Sequence, residues 1–136
     1  MSYGMAAALQ TAVFQHLEAD GDLQALVGTA IFDVAPSGPT PGTYVTLGEE
    51  EARDRSDKSH DGASHDFVVS VVTDAAGFQS AKTVASVISD ALVDASLPLS
   101  RGRLVGLSFQ RAKAERVSNG TQRKIDLRFR ALVEDN

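Results

Sequence analysis

The chain has 136 residues, 43% of them hydrophobic, no cysteine, and a formal net charge of -5. That length suits one domain, spanning residues 1–136, which buries about two-thirds of its unfolded surface without metal or disulfide staples. No Lys or Arg precedes the short apolar run Met5–Leu9 and no run is long enough for a bilayer, so a cytoplasmic, soluble product with no signal peptide or membrane span is expected.

In chain order, Met5, Leu9, Val13 and Leu17 recur every four residues and predict an amphipathic helix over 5–19. Gly21 should end it, Asp22 should cap a short second turn through Val27, and Gly28 should stop that one. Ile31 to Val34 is a short strand candidate, and Pro36 to Gly42 reads as a surface loop, because its three prolines lack ladder donors. Thr43 to Arg55 begins as an apolar strand and turns polar at Glu49. Ala63 to Thr73 is apolar on both faces and so belongs at the centre of a sheet, joined to its predecessor by a mobile polar connection, Ser56 to Gly62. Phe78, Ala81, Ala85, Ile88, Leu92 and Ala95 mark one face of a helix between Gly77 and Ala95, closed before Pro98.

The stretch from Arg103 to Glu134 reads as a long hairpin turning at Ser118-Asn119-Gly120. A three-residue loop aligns the apolar sets, placing Phe109 opposite Phe129, Leu107 opposite Ala131 and Val105 opposite Val133. The same register sets Arg111 and Lys113 opposite Leu127 and Ile125, and Glu115 opposite Arg123, so the half near the turn should leave the core and project. The predicted class is therefore α+β: an antiparallel sheet built from two hairpins with two main helices on one face.

Charge is divided along the chain. Residues 101–130 carry nine Lys/Arg against Glu115 and Asp126, whereas residues 1–100 carry four against fourteen Asp/Glu. Such a molecule suits copies that meet basic side to acidic side. Nucleic-acid binding through the hairpin 103–133 is the alternative, using Arg111, Lys113, Arg116, Arg123, Lys124, Arg128 and Arg130 on phosphates. Against it, no aromatic near the tip offers a stacking platform and the acidic remainder repels a duplex.

Other motifs carry less. Ser59-His60-Asp61 has the letters of a hydrolase triad, but sequence neighbours do not converge as a triad must. His60-Asp61 and His65-Asp66 lack the spacing of metal ligands and read as solvated loop residues. His16 reads as a packed or exposed helix residue. Glu49-Glu50-Glu51 alternates across a strand, which spoils a shared cation site and leaves a solvated edge. Asn119-Gly120-Thr121 matches a glycosylation acceptor but is read as a turn. No catalytic, metal or cofactor site is expected.

Several longer features together resemble one family. They are Leu97-Pro-Leu-Ser-Arg-Gly-Arg-Leu-Val-Gly-Leu-Ser-Phe109, the Asn119-Gly120-Thr121 turn followed by Leu127-Arg-Phe-Arg-Ala-Leu132, the spacing of Asp54, Ser56, Lys58, Gly62 and His65, the Ala8-Leu9-Gln10 helix, Leu26-Val27-Gly28, and the Pro-rich loop before Tyr44-Val45. In order and spacing the chain resembles the tail-completion, or tail terminator, proteins of long-tailed bacteriophages and gene-transfer-agent particles. The resemblance implies a non-enzymatic structural protein forming a hexameric ring. Such a ring caps the tail tube, meets a head-tail connector or stopper protein, and lets DNA pass through its hole without specific binding. It implies assembly in the host cytoplasm and a final place in the tail or neck. On this reading Arg111, Lys113, Arg116, Arg123 and Lys124 contact a neighbouring copy or the tail tube protein, with Glu49, Glu50 and Glu51 as acidic counterpart.

Overall fold

The computed structural model describes residues 3–34 and 42–135. The Pro-rich loop lies outside the described residues except for Gly42. Helix α1 spans Ala6–Ala19 and α2 Gly21–Val27; strands β1 (Ile31–Phe32), β2 (Thr43–Asp54) and β3 (Gly62–Thr73) follow, then α3 (Gln79–Leu92), β4 (Arg103–Val117) and β5 (Gln122–Glu134). The five strands form one sheet in the order β1-β2-β3-β5-β4. β1 runs parallel to β2, and every other neighbour is antiparallel. The α+β class stands, with β3 central. The two-hairpin description needs loosening, since β1 adds a parallel edge and β5 inserts between β3 and β4.

Alternation sorts the sheet. Ala63, His65, Phe67, Val69 and Val71 of β3 stand in rows with Val133, Ala131, Phe129, Leu127 and Ile125 of β5. All ten are buried. With Leu9, Val13 and Leu17 of α1, Leu23 of α2 and Val84, Ile88 and Leu92 of α3, nine of these ten, all but His65, form one core. Each fully buried Leu or Val there contributes about 1.5–3 kcal/mol. The opposite face carries Asp66, Ser70, Asp126, Arg128 and Arg130. It is mostly charged, with a small apolar cluster of Ala30, Tyr44 and Val72 at one end, against which Val27 and Phe32 pack.

Helix ends follow local chemistry. Asp20, not Asp22, is the residue that starts α2: its carboxylate accepts the Leu23 amide at 3.1 Å, since a cap must precede the first turn to reach its free N–H groups. Gly28 closes α2 with φ of 59°.

The hairpin turn differs from expectation by one residue. Val117 pairs with Gln122, so four residues, 118–121, make the connection. Ser118, Asn119 and Gly120 all have positive φ, and Thr121 donates its hydroxyl to the Ser118 carbonyl at 2.7 Å. Bulges on β4 between Leu104 and Gly106 and between Phe109 and Arg111 absorb the shift. Phe109 thus faces Phe129 and Leu107 faces Ala131 as expected, but Val133 faces Leu104 instead of Val105. Beyond the second bulge Ala112 and Ala114 oppose Leu127 and Ile125. Arg111, Lys113 and Glu115 oppose Arg128, Asp126 and Lys124 on the open face.

The projecting finger is also corrected. β5 remains paired with β3 from Gly62↔Glu134 to Thr73↔Arg123. Only the turn from Val117 to Gln122 passes beyond the last row of β3. A strand that buries Ile125 and Leu127 against α3 is held in the sheet by that burial.

Candidate subunit interface

The sheet ends in two unlike edges. β4 is one, fifteen residues long; no strand among the described residues lies on its outer side, although the Asp94 amide donates to its Leu107 carbonyl at 2.9 Å. The other is β2 with the short β1, which covers only Val45 and Thr46. From Leu47 to Asp54 no strand among the described residues pairs with the outer side of β2.

The expected basic residues divide once placed. Arg111 and Lys113 lie on the open face of β4, with Lys113 Nζ 3.5 Å from Glu115. Arg116, exposed, faces the helix side beside Arg123. Arg123 is occupied within its own subunit: it donates to the Ala75 carbonyl at 2.9 Å, and its guanidinium lies 5.5 Å from the centre of the Phe78 ring. Lys124 sits 3.5 Å from Asp126. Arg128 and Arg130 converge on Asp66 at 3.9 and 2.8 Å, and Arg130 holds the Asp66 carboxyl below its usual range. Arg101 and Arg103 meet Asp135 and Glu134. Among the described residues, Arg111 and Arg116 are thus the exposed cations of the hairpin with no partner. Two such charges fall well short of the file of phosphate contacts that a duplex binder uses.

The acidic set divides likewise. A bulge in β2 falls between Leu47 and Glu50, so Gly48 and Glu49 share the single row of Val68. Glu49 is exposed there. Glu51 bonds Arg53 at 2.9 Å. Glu50, expected on a solvated edge, is turned inward, where its Oε2 lies 3.1 Å from His65 Nδ1. Its other oxygen accepts from the Tyr3 hydroxyl. The Glu50 acceptor raises the Tyr3 hydroxyl above the ordinary phenol range. Tyr3 also stacks on His65 with ring centres 5.9 Å apart. Sequence reasoning missed this cluster, and it corrects the solvated-loop expectation for His65, which is fully buried in β3, and for Asp66, which lies in the same strand. Alternation with Ala63, Phe67 and Val69 was the available signal.

The remaining motifs stay apart chemically. His60 and Asp57 approach to 3.4 Å in an exposed loop, and Ser56, not Ser59, contacts Asp61. His16 Nε2 meets the Ala91 carbonyl at 2.8 Å and ties α1 to α3. Among the described residues no three His, Cys, Asp or Glu side chains gather as a metal site would need, and no helix is long and apolar enough to cross a membrane.

The model of the family described as tail completion protein gp17 matches residues 11–134. The chain belongs to the tail completion protein family. A solved chain from the virion of a native gene transfer agent particle is 62% identical, with a TM-score of 0.93, covering 98% of this chain and 99% of that one. A second solved chain is 14% identical, with a TM-score of 0.56, over 100% of this chain and 97% of that chain, and shares the fold alone. Among curated proteins none matches. For a tail completion protein, the features to explain are its surfaces, and the two dissimilar sheet edges are the most differentiated of these.

Proposed function

We propose that this protein closes into a ring of six copies, ends polymerisation of the tail tube and joins the tail to the head connector of a phage-like particle. The observation that carries this is the 62% identity, across nearly the whole of both chains, to a component of a gene-transfer-agent virion. The subunit suits the role. A heterologous contact between unlike patches propagates in one direction and closes when the rotation fits, and this molecule presents a cationic edge on β4 and an anionic one on β2.

Tail tube protein and connector stack on the two ends of the ring, and DNA passes through its hole. The hole is neutral or acidic, so that phosphates slide without sticking. On the open sheet face Asp66 offsets part of the charge of Arg128 and Arg130, and Asp126 lies beside Lys124. Particles produced without this protein test the role. The expected result is tails of irregular length and heads left unjoined. Tails of normal length attached to heads contradict it.

A further inference from the structure

The subunit's two edges match each other row by row. From β2 through β3 and β5 to β4 the strand direction alternates without exception. A following copy, turned about an axis along the strands, therefore places its β2 antiparallel to β4 with its helices on the same side. The stretch of β2 without an outer partner, Leu47 to Asp54, stands level with Leu104 to Ala112 of β4. This follows from the rows Leu47-Val69-Leu127-Ala112 at one end and Asp54-Ala63-Val133-Leu104 at the other.

Two further features coincide on these rows. Arg111 begins the row that runs through Arg128 and Val68 and ends at the bulge holding Glu49. A cation and an anion, both exposed, therefore stand at opposite ends of a single row. The adjoining row on the helix side begins at Phe109 and runs through Phe129 and Phe67 to Glu50, over which Tyr3 is held. Phe109 is 44% exposed and Tyr3 62%, so each edge presents an aromatic ring at the same height and on the same layer.

We infer that β4 of one copy, over Phe109 to Ala112 and clear of the Asp94 amide bound to Leu107, pairs with Leu47 to Glu50 of the next copy's β2 as an added antiparallel strand, with Arg111 beside the neighbour's Glu49 and Phe109 against the neighbour's Tyr3. The occupant is a second copy of this chain. Main-chain hydrogen bonds supply affinity, as in strand addition generally, and the charge and ring pairs fix the register. The two bulges of β4 twist that edge, which discourages pairing with a flat, unrelated strand. This contact rests on the ring reading and specifies how the ring is sealed.

The chain has no cysteine, so a pair introduced by Glu49→Cys and Arg111→Cys reports on this contact alone. Opposite residues of antiparallel strands lie about 4.5–5.5 Å apart, within the roughly 4.4–6.8 Å that a disulfide spans. Mild oxidation of assembled particles carrying both substitutions is expected to yield a disulfide ladder ending at six under non-reducing conditions, collapsed by a thiol reductant and absent with either cysteine alone. In parallel, Arg111→Glu or Glu49→Arg should each lower particle assembly at least tenfold, and the double exchange should restore it. Six-fold rings that assemble normally but give no ladder, or single exchanges that the double exchange does not rescue, overturn the edge pairing and leave the ring intact. Particles in which this chain forms no closed oligomer overturn both.

Discussion

Phe129 is fully buried, stacked on Phe67 at 5.8 Å and edge-on to Phe109 at 6.0 Å. Phe129→Ala should cost about 3–5 kcal/mol, read as a lower denaturation midpoint with an unchanged denaturant slope. Gly102 has φ of +70°, and a Cβ there would lie 2.5 Å from the Glu134 carbonyl oxygen. Gly102→Ala should therefore lower Tm markedly, by strain and by opening the start of β4. Asp66 tests the open face. Its folded pKa is depressed, chiefly by the Arg130 hydrogen bond. The stability it adds is present above its unfolded pKa, about 3.9, and is lost as pH falls through the folded value. Asp66→Asn should melt below the parent protein at pH 7, and the gap should close in acid. A gap that persists at low pH contradicts the ion-pair account.

At the scale of elements, the contrast between Arg123 and Arg111 separates folding from assembly. Arg123 holds the approach to α3 through Ala75 and Phe78, so Arg123→Glu should lower the subunit's own Tm. Arg111→Glu, on an exposed edge, should leave Tm nearly unchanged. Equal losses in both would argue against placing Arg111 at a contact between copies. The helices and the central strand were legible because their apolar spacing is dense and regular: four-residue recurrence from Met5 to Leu17, and a Val-rich run from Phe67 to Val72 interrupted only by Ser70. The bulge after Phe109 was not. Its trace is a change of phase from Leu107 and Phe109 to Ala112 and Ala114, and alanine is too small to announce a face. Three positive-φ residues made the turn one residue longer than the three-residue loop, Ser118 to Gly120, that the apolar pattern suggested. His65 was misplaced because its polar neighbours masked the alternation, and the inward turn of Glu50 depends on a β2 bulge that carries no sequence signal beyond Gly48.

At the scale of the molecule, the division of charge along the sequence becomes a division across the sheet. Most cations of the hairpin are neutralised inside the subunit, and those left over gather on β4. Subunit association should accordingly weaken with salt, though modestly, since exposed ion pairs contribute about 0–1 kcal/mol each and strand pairing is not screened. In the proposed ring, six copies close around the DNA path at the end of the tail tube, sheet edge to sheet edge. The most direct measurement is an electron cryomicroscopy map of the particle's tail-to-head junction at a resolution that separates strands. One six-fold ring is expected, in which the sheet of each copy continues from its β4 into the next copy's β2. Copies found elsewhere in the particle, or arranged at the junction without closing a ring, would contradict it.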